Sequence, residues 1–221
     1  MRLERVGKRY GGDPPILSDI TWSLDTGGFG VLTGAAGAGK TTLLRIVSLA
    51  ERPSSGRLML FGGDTARLGR TARAALRRRI GIVFQDARLV DDWTVAENVA
   101  LPLRIAGAVQ REIARNVPEL LAWVRLEKRS DALGSTLSDG ERRLVAIARA
   151  VVARPELLVA DEPSQNLDEE TGLLVARIFR NMNRLGTTVL IATRDIAFAR
   201  QLGEPAFRLE NGALSADRVS L

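Results

Sequence analysis

The residues with the clearest chemistry form a glycine-rich stretch, Gly34-Ala35-Ala36-Gly37-Ala38-Gly39-Lys40-Thr41, followed by Thr42. The spacing G-x-x-x-x-G-K-T comes after a short apolar run and before a helical pattern, which is the context of a phosphate-binding loop. Glycines let the backbone curl so that its N–H groups point inward, and the helix start adds positive potential. Lys40 offers a charge to phosphate oxygens and Thr41 offers a hydroxyl to Mg²⁺. We therefore predict a nucleotide-phosphate site rather than a flexible loop.

Two adjacent acids, Asp161 and Glu162, follow the apolar run 157–160. Ligands of open α/β sheets bind at the carboxyl ends of parallel strands, where these acids are expected. Asp161 is suited to hold Mg²⁺, and Glu162 to orient or deprotonate an attacking water. A strand that ends in a solvated acid is common, so the prediction depends on the pairing with the glycine-rich loop.

The segment Leu137-Ser138-Asp139-Gly140-Glu141 precedes a helical run from Arg142 to Ala150. Ser138 and Glu141 have the S-x-x-E spacing of a capping box, which is a complete structural explanation. A helix start with free N–H groups is also an anion site. The two interpretations are compatible.

The elements that must position these residues alternate between strand and helix. Apolar or alternating runs predict strands at 17–24, 30–33, 57–61, 80–84, 157–160 and 188–192. Helical patterns cover 71–79, nearly all of 94–152, and 169–185, the last closed by Gly186. Such alternation predicts a parallel sheet covered on both faces, with a helical insertion in the middle of the chain.

Composition excludes several kinds of chemistry. The 221 residues include no cysteine and no histidine, which excludes disulfides, thiolate metal sites and a histidine base. We find no signal peptide and no apolar run of membrane-spanning length, so a cytoplasmic protein is expected. The net charge of +6 permits a nucleic-acid or anionic-membrane neighbour, but an arginine-rich genome composition explains it equally well.

The order of these motifs resembles the ATP-binding cassette of ABC transporters over almost the whole chain. The order is the glycine-rich loop, Gln85 after a buried strand, 137–141, the two acids, and 164–168. The resemblance implies an α/β P-loop NTPase fold. That fold has a RecA-like parallel-sheet core, an N-terminal antiparallel β part and an inserted α-helical subdomain. It also implies one domain, 1–221, with the core at about 1–87 and 152–221 and the helical subdomain at 88–151.

The same resemblance implies roles for further residues. Tyr10 would stack on adenine, and Gln85 would be the switch glutamine, a catalytic residue that also binds Mg²⁺. Cassettes of this family sandwich two ATP molecules between two copies. Ser138, Gly140 and Glu141 would therefore bind the nucleotide of a second copy, and 164–168 would communicate across the homodimer.

Two positions depart from the family pattern. Arg194 stands where the family has a histidine that contacts the γ-phosphate; arginine donates to phosphate but cannot accept a proton. Asp139 stands where the family has glycine. Its carboxylate would repel the partner's γ-phosphate by an amount on the order of a few kcal/mol unless it turns outward or pairs. We expect a slow ATPase, with Arg194 as a further catalytic candidate, in preference to an ATP-binding switch that barely hydrolyses.

Segments 81–86, 94–103 and 186–193 most resemble the cell-division branch of the family. That likeness implies a homodimer on ATP binding and an integral membrane partner docking near Gln85–Val90. It also implies a location on the cytoplasmic face of the bacterial inner membrane and a function in activating peptidoglycan hydrolases.

Cassettes for lipoprotein release or macrolide export are alternatives, as is a nucleotide-dependent scaffold. A soluble ABC protein acting on nucleic acid or ribosomes is the remaining alternative. We interpret the basic stretch that would support it as a solvated face, and expect no nucleic-acid partner. That stretch contains Arg70, Arg73, Arg77, Arg78 and Arg79.

Overall fold

The computed structural model describes residues 1–215, in which a six-stranded sheet forms the centre of the fold. Its strands are β3 (Phe29–Thr33), β6 (Ile80–Val83), β7 (Leu157–Asp161), β8 (Thr188–Ala192), β9 (Ala206–Glu210) and β10 (Ala213–Leu214). They lie in the order β10-β9-β3-β8-β7-β6, parallel except for β10 against β9. Every residue of β3, β7 and β8 is buried, as expected of parallel strands covered on both faces.

A second sheet, entirely antiparallel, packs beside the first. It contains β1 (Arg2–Lys8), β2 (Leu17–Ser23), β4 (Ser55–Leu60) and β5 (Gly63–Asp64), in the order β2-β1-β4-β5. The first helix, α1 (Lys40–Val47), shares one apolar cluster with strands of both sheets. The second sheet is the N-terminal antiparallel part that the family resemblance implied.

Six further helices cover the part of the chain that the structure describes. They are α2 (Arg70–Arg77), α3 (Val95–Ile105), α4 (Gln110–Trp123), α5 (Asp139–Val151), α6 (Glu169–Arg184) and α7 (Ile196–Leu202). Helices α3, α4 and α5 are inserted between β6 and β7, and the chain between α4 and α5 contains two 3₁₀ turns (Glu127–Arg129 and Gly134–Thr136). No residue of the basic helix α2 is buried, which agrees with a solvated face.

Successive residues of the central strands point into two different apolar clusters. In β8, Val189 packs with the helices α3 to α7, whereas Leu190 packs with α1 and the antiparallel sheet. This alternation follows from the two-residue period of a strand. It places the parallel sheet between two apolar layers, and the carboxyl ends of β3, β7 and β8 lie together at one edge of the sheet.

Most of the predicted elements are present within two residues of their predicted bounds. The structure also contains β1, β9, β10 and α7, which no pattern in the sequence predicts, and the short strand β5 where a turn is predicted. Within residues 1–215, none of the helices has both the length and the hydropathy needed to cross a membrane.

Candidate active site

The glycine-rich loop curls between β3 and α1. Gly34 has φ 150°, and a Cβ there would lie 2.2 Å from the carbonyl oxygen of Leu209 on β9. Gly39 has φ 100° and precedes α1, whose start carries no side-chain cap. The first N–H groups of α1 therefore remain available to an anion, which is the arrangement that binds phosphate at helix N-termini.

Lys40, the first residue of α1, folds back into the loop. Its ammonium donates to the carbonyl oxygens of Gly34 at 2.7 Å and Ala35 at 3.0 Å, and the residue is only 7% exposed. Neutral carbonyls hold the ammonium in place without cancelling its charge. The loop thus presents a fixed positive charge of the kind that binds phosphate.

Thr41 and Asp161 join the loop to the carboxyl end of β7. The Thr41 hydroxyl donates to Oδ2 of Asp161 at 2.7 Å, and Asp161 is 7% exposed. Burial raises the pKa of Asp161; the Thr41 hydrogen bond opposes that rise and the nearby Glu162 charge adds to it. The other carboxylate oxygen, Oδ1, is buried and is the one buried side-chain polar atom without a hydrogen-bond partner in the described chain.

This pair of oxygen-bearing groups fits a hard divalent cation. A buried carboxylate oxygen without a partner loses its hydration and gains nothing in return, and a bound cation would supply the missing interaction. Among residues 1–215, no group of three or more His, Cys, Asp or Glu side chains could hold a metal by itself. A cation here would therefore complete its coordination with phosphate oxygens and water, as is usual for Mg²⁺.

Glu162 follows Asp161 in a left-handed backbone conformation, with φ 47°. Its own N–H donates to the carbonyl of Ala192 at 2.8 Å, which ties the turn to the end of β8. Its carboxylate accepts bonds from the Thr193 hydroxyl at 3.0 Å and from the Arg194 N–H at 3.1 Å. A non-glycine residue held at positive φ is a strained feature of the kind that often occurs at active sites.

Arg194 lies beside this carboxylate. Its Nε is 3.9 Å from Oε1 of Glu162, and its side chain is 55% exposed. The next residue, Asp195, caps α7 by accepting the N–H of Phe198, and also accepts the hydroxyl of Ser164 at 3.2 Å. The backbone is therefore fixed on both sides of Arg194, whose guanidinium is exposed.

Two neighbouring cavities bring these groups together. The first, of 300 Å³, is lined by residues 36–42 of the phosphate loop and the start of α1, together with Gln85, Glu162 and Arg194, whereas Gly34 and Ala35 do not line it. The second, of 350 Å³, shares Thr41 and Gln85 with the first and also contains Asp161. The Gln85 side chain donates to Oε1 of Gln165 at 3.3 Å. Gln85 is thus placed between the loop and the two acids, where the sequence predicted a shared site.

The remaining candidates lie outside both cavities. The Tyr10 hydroxyl donates to Glu51, and the ammonium of Lys8 is 4.8 Å from the centre of the Tyr10 ring. Ser138 and Glu141 form the predicted capping box of α5, with the Glu141 N–H donating to Oγ of Ser138 at 3.3 Å. Helix α5 starts with the exposed Asp139 and the partly exposed Gly140. A single copy therefore does not bring these residues to the phosphate loop.

Sequence reasoning missed the buried Arg143 on α5, which also lines the 350 Å³ cavity. A signal was present, because Arg143 precedes the fully buried Ile147 by four residues and so falls on the apolar face of α5.

Comparison with known proteins agrees with this geometry. The family described as ABC transporter matches residues 17–165. The cell division ATP-binding protein FtsE of Haemophilus influenzae is 42% identical over 97% of this chain and 99% of its own length. FtsE of Escherichia coli is 42% identical over 97% and 96% of the two chains. The dimeric ATP-binding cassette MJ0796, solved in a post-hydrolysis state with ADP and Pi, superposes with a TM-score of 0.92. Its sequence is 30% identical, and the match covers 100% of this chain and 99% of that one. The chain therefore belongs to the ABC transporter family, as an ATP-binding cassette with ATPase activity.

Proposed function

We propose that the chain binds Mg-ATP in the cavity around residues 34–41 and hydrolyses it with Glu162 as the base. The observation that carries this proposal is the convergence of the loop ammonium of Lys40 and the Glu162 carboxylate on one 300 Å³ cavity. The Thr41–Asp161 pair adjoins it. Cationic, metal-binding and basic groups are the parts that phosphoryl transfer to water requires.

The residues divide the work as follows. The loop N–H groups and Lys40 hold the phosphates, while Thr41, Asp161 and Gln85 would hold Mg²⁺. When bound, Mg²⁺ neutralises charge on the phosphate oxygens. Glu162 orients a water toward the γ-phosphorus and takes its proton. The new P–O bond forms as the bond to the β-phosphate oxygen breaks, which leaves ADP and phosphate.

Arg194 replaces an imidazole with a permanently charged guanidinium. We propose that it leaves its 3.9 Å contact with Glu162 and donates to the γ-phosphate, as its exposed side chain allows. A guanidinium stabilises charge but does not exchange a proton. This difference supports a slow turnover.

We further propose that two copies close around ATP. The solved relative MJ0796 is described as dimeric. In such a dimer, the start of α5, with Ser138, Gly140 and Glu141, would face the phosphates held by the partner copy. The exposed Asp139 side chain is free to turn outward, which would limit its repulsion of phosphate. Tyr10 would lie against the base, and 164–168 would line the interface.

The cellular role we propose is that of the two relatives, whose names place them in cell division. The chain would act with an integral membrane permease of the FtsX type on the cytoplasmic face of the bacterial inner membrane. There, ATP-driven closure would activate peptidoglycan hydrolases.

The docking segment would be Gln85–Val90. It is largely exposed, and Val90 is an apolar residue that is 37% exposed.

Phosphate release from the purified full chain tests the catalytic proposal. Replacing Glu162 with Gln should lower the rate about 100-fold or more while Mg-ATP still binds, because only the proton acceptor is lost. ATP-bound dimers should then accumulate in sedimentation. Glu127→Gln, which alters an exposed acid outside the cavities, is the matched control. A rate unchanged by Glu162→Gln would defeat the assignment.

Co-expression with an FtsX-type permease tests the partner proposal. The tagged chain should recover the permease from detergent-solubilised membranes, and Val90→Asp should weaken the recovery. The control is Val109→Asp, which places the same charge at an apolar residue that is also exposed but lies at the start of α4. Equal loss with both variants, or no recovery with the unaltered chain, would contradict docking at this segment.

A further inference from the structure

Helix α5 contains a buried arginine, Arg143, whose burial the proposed ATP-binding residues do not explain. Arg143 is 7% exposed and forms no ion pair within residues 1–215. Instead its Nη1 donates to the carbonyl oxygen of Phe84 at 2.6 Å, and its Nη2 to the carbonyl oxygen of Gln85. Burial lowers the pKa of Arg143, and the acids around the cavity oppose that shift. A buried charge is expensive, so these two contacts call for an explanation.

The segment that Arg143 contacts is not a relaxed loop. Ala87 and Arg88 both have left-handed backbones, with φ 52° and 51°. Such conformations persist in non-glycine residues only where the surroundings hold them. A second arginine of α5, Arg149, donates to the carbonyl oxygens of Ala87 and Arg88, the latter at 2.7 Å. Helix α5 therefore contacts this segment through two arginines, of which Arg143 is the one that bonds to Gln85.

The Gln85 side chain itself is weakly held. The one side-chain hydrogen bond it forms within the described chain is the 3.3 Å contact to Gln165, which is long for a hydrogen bond. The orientation of the Gln85 side chain must then depend mainly on the conformation of its backbone. Arg143 fixes that backbone and also lines the 350 Å³ cavity that holds Thr41 and Asp161. The geometry thus connects α5, whose first turn begins after Ser138, to the Gln85 side chain, which lines the same cavity as the Thr41–Asp161 pair.

We propose that Arg143 is a positioning residue for ATP hydrolysis. By fixing the carbonyls of Phe84 and Gln85, it directs the Gln85 amide toward the Thr41–Asp161 pair. It acts through Gln85 and does not itself contact ATP. This inference rests on the role of Gln85 proposed above.

A double-mutant cycle in the full chain tests the role of Gln85 and the positioning role of Arg143 separately. Arg143→Met keeps the apolar stem and removes both hydrogen bonds, and it should lower kcat about 10-fold or more. It should raise the Mg²⁺ concentration at half-maximal rate and leave the affinity for ADP unchanged, since the phosphate loop is untouched. Arg143→Lys restores a single donor group and should lie between Arg143→Met and the unaltered chain. In a Gln85→Ala background, Arg143→Met should change kcat by less than about twofold.

Arg149→Met is the matched control, since it removes the hydrogen bonds to Ala87 and Arg88 in the same segment but none to Gln85. Its fold-loss in kcat should be the same with and without Gln85→Ala, so that the two losses multiply. Equal fold-losses from Arg143→Met in both backgrounds would overturn the positioning role. If Gln85→Ala alone left kcat and the Mg²⁺ dependence unchanged, the proposed role of Gln85 would fail instead. Thermal unfolding checks each variant, and if Arg143→Met does not fold, the same cycle with Arg143→Lys decides between these outcomes.

Discussion

Replacing Asp161 with Asn should stabilise the metal-free protein while it disables the enzyme. Asp161 is 7% exposed, and its Oδ1 has no partner within residues 1–215. An unpartnered buried acceptor costs about 1–3 kcal/mol, and a charged one more than a neutral one. Asn keeps an oxygen for the Thr41 hydroxyl and puts an uncharged NH₂ group in place of Oδ1, so a neutral unpartnered group replaces a charged one. We therefore expect the free energy of unfolding to rise by about 1 kcal/mol without metal or nucleotide.

The increase in the free energy of unfolding caused by Asp161→Asn should depend on pH. Burial raises the pKa of Asp161 in the folded chain above its ordinary value of 3.8. Between the ordinary and the raised pKa, the folded state holds a proton that the unfolded state has lost. The contribution of Asp161 to stability therefore falls as pH rises through that window, and the full penalty applies above it. The advantage of Asp161→Asn should accordingly be largest near neutral pH and shrink toward about pH 4.

Urea unfolding of both chains, with and without Mg-ATP, measures this effect. Mg-ATP should stabilise the unaltered chain more than Asp161→Asn, so that the difference between them narrows or reverses. The control is Asp86→Asn, because Asp86 is an exposed acid of the same cavity and should change stability little. An Asp161→Asn variant that is less stable than the unaltered chain in metal-free neutral buffer would refute the reasoning.

Three further predictions concern the loop, the cap and the exposed arginine. Gly34→Ala should cost about 2 kcal/mol or more in urea unfolding, because its Cβ would meet the Leu209 carbonyl at 2.2 Å; Gly37→Ala, with open space around it, should cost about 1 kcal/mol from backbone strain alone. Equal costs would contradict the close packing. Ser138→Ala removes the cap of α5 and should lower the free energy of unfolding by about 1 kcal/mol; no loss would argue against the capping box. Arg194→Ala should leave stability within about 0.5 kcal/mol, since its side chain is 55% exposed and reaches the buried Glu162 carboxylate only at 3.9 Å, yet lower kcat about 10-fold or more; an unchanged rate would exclude it from the reaction.

The strand, loop and helix around Lys40 could be predicted because the sequence is locally unambiguous there. An apolar run, correctly spaced glycines and a helical pattern all agree, and each is a short-range signal. The acids at 161 and 162 were predictable for the same reason, since a fully buried strand ends at them. The resemblance to a known family predicted the antiparallel sheet, and it is also the source of the roles proposed for Gln85 and for the start of α5.

Other features depend on contacts between distant parts of the chain. Strand β1 was not predicted because its register shifts between Leu3 and Val6, which breaks the alternation of buried residues. The helical period of α5 indicates that Arg143 is buried, but its partners could not be predicted because the carbonyls of Phe84 and Gln85 lie 59 and 58 residues away in sequence. The unpartnered oxygen of Asp161 is likewise visible only once β7 and α1 are packed together.

Calorimetric titration of Mg-ATP into the full chain and into a Lys40→Met variant tests most directly whether the loop holds the triphosphate. We expect the unaltered chain to bind one Mg-ATP per copy, and the variant to lose at least about 10-fold in affinity because its loop lacks the fixed ammonium. No binding by the unaltered chain, or equal affinity in the two proteins, would contradict the account.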